Sequence, residues 1–229
     1  MGNLLVVSLD RLASAVSSPC HVVMVGLDNS GKTSLMYKAK LKELIKVHPT
    51  MAFNVECVNA TKKLKYKIWD IGGRESNRPL WKAYVRKTEG VVFVVDSTDS
   101  SRFEEARHEL FNLLNSESAK LNQVPVLVLA NKQDCIGALS PDMLANELNL
   151  SALNERHLWH VEPTSAYVGE GFVEGLKTLG RMIAQCRGEH LKDSNEEKTP
   201  KPLRRNRSSK KKRSRSRKGS TGSYEGILI

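Results

Sequence analysis

Short apolar runs alternate with amphipathic stretches between residues 20 and 186. The strand-like runs fall at residues 21–25, 55–60, 64–69, 91–96, 126–130 and 158–162. Several are unbroken Val/Ile/Leu sequences, as parallel strands covered on both faces are. Helical spacing occupies 32–43, 101–115, 140–149 and 171–186. Leu110, Leu113 and Leu114 share one face, as do Leu176, Leu179 and Ile183. Only residues 61–63 separate the second and third runs, which predicts a hairpin and one antiparallel edge strand. The strand–helix alternation as a whole predicts a doubly wound α/β sheet with helices on both faces.

The flanks differ from this middle. Residues 1–19 carry a helical stripe in which Leu5, Leu9, Leu12 and Val16 lie on one side, ending at Ser18-Pro19. Such a stripe suits either a helix lying in a membrane interface or one packed permanently on the domain. Residues 187–229 are polar, basic and rich in serine. Charge separates the same regions. The chain holds 36 Lys+Arg and 25 Asp+Glu, a net of +11; from Arg187 onward there are 14 basic and 5 acidic residues, so the tail carries +9 and the rest only +2. The sequence divides into an N-terminal helix at 1–19, a domain at 20–186 and an unfolded basic tail at 187–229. No apolar run is long enough to span a membrane. The start "MGNLLVVSLDRLASAV" lacks a basic leader region and a small-residue cleavage site, which argues against a signal peptide. Cys20, Cys57, Cys135 and Cys186 show no pairing rhythm, which predicts reduced thiols in cytosol or nucleus and no cysteine-held metal.

Candidate chemistry sits at the ends of the predicted strands. "GLDNSGKT" (Gly26, Leu27, Asp28, Asn29, Ser30, Gly31, Lys32, Thr33) follows the first strand and opens a helix, with Ser34 next. This is the context a phosphate loop requires. Its glycines let successive N–H groups close on phosphate oxygens, Lys32 supplies a point charge, and the Thr33 hydroxyl suits Mg²⁺. "NKQD" follows the fifth run. Asp134 can accept both protons on the guanine edge, whereas adenine would leave that carboxylate unpaired. Asn131 can bridge the base and the phosphate loop, and Lys132 can lay its stem over the ring. "TSAY", with Ser165 and the Ala166 N–H, either reaches guanine O6 or is a plain strand-to-helix turn. Thr50, Asp70 and Gly73 complete the set. Thr50 can ligate Mg²⁺ when a γ-phosphate is present, Asp70 can hold a Mg²⁺-bound water, and Gly73 can donate its N–H to the γ-phosphate. Thr50 also reads as a turn threonine after Pro49.

These motifs stand in an order that resembles the Arf and Arf-like small GTP-binding proteins. The resemblance rests on "GLDNSGKTSL", "PTMAFNVE", "WDIGGRE", "RPLWKAYVRKTEGVVFVVDSTD", "VPVLVLANKQD" and "GEGFVEGLKTL", and covers residues 2–186. "RPLWKAY", "WHVEPTSA" and the basic extension make it most similar to the Arf-like type 4 subgroup. The resemblance implies a P-loop small GTPase fold with a six-stranded, mostly parallel sheet. It also implies exchange of GDP for GTP with Mg²⁺, Thr33 and Thr50 as metal ligands, and a hairpin that slides with nucleotide state. A membrane-inserting N-terminal helix, myristate on Gly2, exchange-factor and effector partners, and a monomer acting in signalling or vesicle trafficking belong to the same picture. Val6 departs from the Ser/Thr of the acylation pattern. Ala52 stands where the family has glycine. Arg74 stands where the family has the glutamine that orients the attacking water. Arginine has donors and no acceptor, so slow hydrolysis is expected, or a scaffold that hardly hydrolyses GTP.

The basic run at 204–218 admits three readings: a signal for a nuclear import receptor, a patch for anionic membrane, or a non-specific RNA contact. It lacks aromatics for base stacking, and sequence-specific nucleic-acid binding is not expected. The expected locations are cytoplasm, plasma membrane or endomembrane, and nucleus through the tail. Ser208, Ser209, Ser214 and Ser216 are placed so that phosphorylation removes net charge. The terminal "YEGILI" reads as a sorting or docking peptide.

Overall fold

Successive side chains of a strand point to opposite faces, so an unbroken apolar run fills two cores at once. In β1 (Cys20–Val25), Val22 and Met24 enter one core, Val23 and Val25 the other. β4 (Gly90–Asp96) and β5 (Val126–Asn131) divide the same way: Val92, Val94, Leu127 and Leu129 join Val22, while Val91, Phe93, Val126 and Val128 join Val23. α1 (Lys32–Leu41) and α5 (Phe172–Cys186) cover the first face through Leu35, Met36, Leu176 and Leu179. α2 (Arg78–Val85), α3 (Phe103–Leu114) and α4 (Pro141–Glu147) cover the second through Trp81, Val85, Leu110 and Leu144.

The structure, a computed structural model, describes residues 18–115, 123–153 and 156–188. Gly2, the helical stripe at 5–16, the basic run and the terminal peptide lie outside them. With β2 (Phe53–Asn59), β3 (Lys65–Ile71) and β6 (Trp159–Pro163), the sheet has six strands in the order β2-β3-β1-β4-β5-β6. β2 and β3 pair antiparallel, Phe53 opposite Ile71 and Asn59 opposite Lys65, and the other neighbours are parallel. The hairpin turn closes because Thr61 Oγ1 accepts from the N–H groups of Lys63 and Leu64, at 3.2 and 3.0 Å.

The expected strands are all present, shifted by a residue or two at their ends. The helices differ more. α1 stops at Leu41, not residue 43, because Lys42 turns left-handed at φ 65° and its N–H caps the Lys38 carbonyl. α4 is shorter than 140–149. Ser140 caps its start, Pro141 fits the first turn, and after Glu147 the chain passes into a 3₁₀ turn over Leu150–Leu153. α2 was not among the expected helices. It has a proline in its first turn and only eight residues, and it is held by burial of Trp81 and Val85 at i, i+4. Trp81 meets Phe93 edge-on at 6.4 Å.

Tyr66 ties the antiparallel edge to α5: its buried hydroxyl donates to the Leu176 carbonyl at 2.8 Å, and burial pushes the phenol pKa well up. No helix among the described residues is long and apolar enough to cross a membrane. None of the four cysteines is in a disulfide. The chain runs from β1 to the β2–β3 hairpin on one side and then crosses from β3 to β4 on the other side of β1, so the carboxyl ends of these strands open onto a topological switch point, where open α/β sheets bind ligands.

Candidate functional site

The loop from Gly26 to Gly31 leaves β1 and enters α1 at that switch point. Gly31 has φ 91°, and a Cβ there would lie 2.3 Å from Asn131 Nδ2, so conformation and space both demand glycine. The Lys32 ammonium folds back over the loop, donating to the carbonyls of Gly26 (2.9 Å) and Leu27 (2.7 Å) and to Ser30 Oγ (3.3 Å). Lys32 is buried, and desolvation lowers its pKa to about 8, with Asp70 and Asp28 opposing the shift. The site therefore holds a desolvated cation at the positive end of α1, an arrangement suited to a polyanion. A cleft of about 240 Å³ opens there, lined among others by Asp28, Lys32, Thr33, Thr50, Gly73 and Arg74.

Three oxygen-bearing side chains from three segments meet at its floor. Thr33 Oγ1 donates to Asp70 Oδ2 at 2.6 Å and stands 2.9 Å from Thr50 Oγ1. Asn54 Nδ2 lies 3.4 Å from both Thr50 Oγ1 and Asp70 Oδ2. Asp70 is fully buried, its Oδ1 has no hydrogen-bond partner, and desolvation raises its pKa against the pull of Thr33 and Lys32. An orphaned buried oxygen of this kind calls for a missing partner.

Gly73 passes so close to the phosphate loop that a Cβ on it would lie 2.3 Å from the Gly26 carbonyl oxygen and 2.4 Å from the Asp28 nitrogen. Backbone contacts bind its segment to the Thr50 segment: Gly72 N–H donates to Ala52 O (2.9 Å) and Asn77 Nδ2 to Met51 O (3.0 Å). Ala52 is not left-handed, so alanine adopts this backbone without strain. Arg74 is exposed, with Nη1 3.9 Å from Met51 Sδ.

At the end of β5, Asn131 Nδ2 donates to Ser30 O at 2.7 Å, joining this loop to the phosphate loop. Lys132 is left-handed at φ 68° and pairs with Asp96 Oδ2 at 2.5 Å. Burial works against the Asp96 charge, yet hydrogen bonds from Lys132 and Thr98 hold its pKa below the usual carboxylate range. Ser165 Oγ donates to Asp134 Oδ1 at 2.5 Å, so the "NKQD" and "TSAY" loops meet. The Ala166 N–H lies 3.3 Å from Asn131 Oδ1.

The sequence reading passed over several side chains that brace this site. Asp96 anchors Lys132, Asn54 approaches the Thr50–Asp70 pair, and Trp81 Nε1 donates to Gly72 O at 3.1 Å. Arg102 Nη2 donates to Asp28 Oδ1 at 2.8 Å, and Arg78 Nε donates to Gly73 O at 3.2 Å. A signal existed only for Asp96, an acidic residue at a strand end beside the "NKQD" strand.

Sheet order, the single antiparallel pair and the loops at the carboxyl edge define the small GTPase fold. A solved structure of the Arl6 (BBS3) small GTPase from Trypanosoma brucei, with the nucleotide analogue GppNp bound, is similar with a TM-score of 0.66 and 31% identity, over 73% of this chain and 99% of that one. ADP-ribosylation factor-like protein 4A of Mus musculus is 41% identical over 192 residues, 82% of this chain and 95% of the relative. The ADP-ribosylation factor family model matches residues 7–183, and the chain belongs to that family. Its members bind guanine nucleotide, and the family's kinds of partner are exchange factors and effectors.

Proposed function

We propose that this chain is a GTP/GDP switch that takes Mg²⁺ with its nucleotide and recruits effectors at membranes in the GTP form. The observation that carries the reading is the meeting of Thr33, Thr50 and Asp70. Thr50 comes from a loop distant in sequence from the phosphate loop, yet its hydroxyl stands 2.9 Å from that of Thr33. That is the edge length of an octahedron with Mg²⁺–oxygen bonds of 2.0–2.1 Å, about 2.9 Å. The residues therefore fit the ion: Thr33 and Thr50 as ligands, with the unpartnered Asp70 Oδ1 available to a coordinated water. Mg²⁺ held there would neutralise charge on the β- and γ-phosphates.

In this reading Gly26, Leu27, Asp28, Asn29, Ser30, Gly31, Lys32, Thr33 and Ser34 wrap the phosphates, and Gly73 offers its N–H to the γ-phosphate. Asn131, Lys132, Asp134, Ser165 and Ala166 hold the guanine. Arg74 leaves the attacking water without an acceptor, so hydrolysis is slow. The chain acts as a monomer with three parts: an anchor at 1–19 acylated on Gly2, the nucleotide domain at 20–186, and a basic tail from 187. One acyl chain binds membrane only marginally, and the tail supplies a second contact with anionic lipid and a signal for import.

The test is the nucleotide carried by the purified full chain, together with competition by GTP and ATP against a fluorescent guanine nucleotide. Guanine nucleotide on the isolated protein and displacement by GTP alone are expected. GTP rather than GDP as isolated supports slow hydrolysis. Equal displacement by ATP would overturn the reading.

A further inference from the structure

The charged side chains around Arg78 and Arg102 form a continuous chain between the phosphate loop and the Gly73 segment. Arg102, just before α3, holds the phosphate loop from outside: Nη2 donates to Asp28 Oδ1 at 2.8 Å and Nη1 to Asp28 O at 3.3 Å. Its Nε donates to Glu105 Oε2 at 2.7 Å. The other Glu105 oxygen accepts from Arg78 Nη2 at 2.7 Å, and Arg78 Nη1 reaches Glu109 at 3.2 Å. Arg78 Nε then donates to the Gly73 carbonyl at 3.2 Å. Glu105 thus joins two guanidiniums, one gripping each side of the cleft. The Arg78 side chain is only 10% exposed, so its end of the chain is shielded from solvent and salt.

We infer that Arg102, Glu105 and Arg78 are a positioning relay that makes the site favour a nucleoside triphosphate over a diphosphate. This deepens the switch reading and rests on it. The phosphate-loop end is fixed by the fold, because Asp28 lies between β1 and α1. The Gly73 end is a backbone segment that must approach the loop to reach a γ-phosphate. A link from one to the other stabilises the closed arrangement, and only a ligand with a γ-phosphate draws on that arrangement. The network differs from the Lys32 and Thr33 contacts, which serve either nucleotide.

The experiment measures the affinity of the full chain for GDP and for a non-hydrolysable GTP analogue by nucleotide fluorescence. The variants are Glu105→Gln and Arg78→Gln, with Glu104→Gln as control. Glu104 pairs with Arg107 on the same helix and touches neither end of the relay. Glu105→Gln keeps the side-chain shape but loses the charge that joins both arginines. Arg78→Gln removes the Gly73 bond and the pairs with Glu105 and Glu109, and leaves the Arg102 grip on Asp28 in place. Both are expected to weaken the GTP analogue about five- to twentyfold while GDP changes less than about twofold, with Glu104→Gln like wild type. The GDP arm also reports folding, since an unfolded variant binds neither. Equal losses for both nucleotides, or no loss for the analogue in either variant, would overturn the relay. Wild-type protein that binds neither nucleotide would overturn the switch reading and the relay with it.

Discussion

Arg74 sets the scale of a single residue. Glutamine can accept from the attacking water with its carbonyl while donating from its amide; arginine offers five donors and no acceptor. The side chain is exposed and lies beside Met51 at the rim of the cleft. Arg74→Gln is expected to raise the single-turnover rate of GTP hydrolysis by at least about tenfold, while affinity for the GTP analogue changes little. Equal rates would show that the missing acceptor does not limit the step. At this scale the motifs were legible because each needs fixed residue types at fixed spacing: Lys32 and Thr33 in their loop, Asn131 and Asp134 after β5. Asn54 and Arg102 were not. Neither belongs to a spaced motif: Asn54 matters because the fold brings Asp70 of the next strand to it, and Arg102 because the fold carries it to Asp28 from far along the chain.

Elements were legible in proportion to their burial. β1, β4 and β5 are covered on both faces, so their apolar runs announce them. The hairpin strands are less uniform, and β2 has mixed exposure, yet the short gap between them was signal enough. α2 escaped because eight residues show only two core positions, Trp81 and Val85, and a proline stands near its start. What holds these elements to each other is largely apolar, with a few buried hydrogen bonds that fix register. The Tyr66 hydroxyl on Leu176 O is one, between β3 and α5. Tyr66→Phe leaves the ring packed and removes that bond. A cost of about 1 kcal/mol is expected, seen as a fall in Tm of about 2–4 °C. The Leu176 carbonyl lies within α5, which limits the penalty for the lost donor. An unchanged Tm would mean that β3 and α5 are held by packing alone.

At the scale of the molecule, topology and charge divide the work. The sheet order gathers the ends of β1, β3, β5 and β6 on one edge, so five separated motifs become one site. The motifs made that convergence predictable; the relay through Glu105 was not, since surface charges carry no spacing rule. Charge is segregated differently: +9 of the net +11 belongs to residues from Arg187 onward, and residues 1–186 hold +2. In the proposed reading, attraction to an anionic surface would belong to the tail and should separate from nucleotide binding. Basic residues near an anionic bilayer contribute about 1 kcal/mol each and are screened by salt. Deleting residues 189–229 is expected to lower partition onto phosphatidylserine-containing vesicles by at least about tenfold at 0.1 M salt, with guanine-nucleotide affinity within about twofold of the full chain. Raising the salt should reduce the full chain's partition far more than that of the truncated chain. Equal partition of the two would move the membrane contact to residues 1–19, where the proposed acyl group on Gly2 and the apolar stripe would have to supply it.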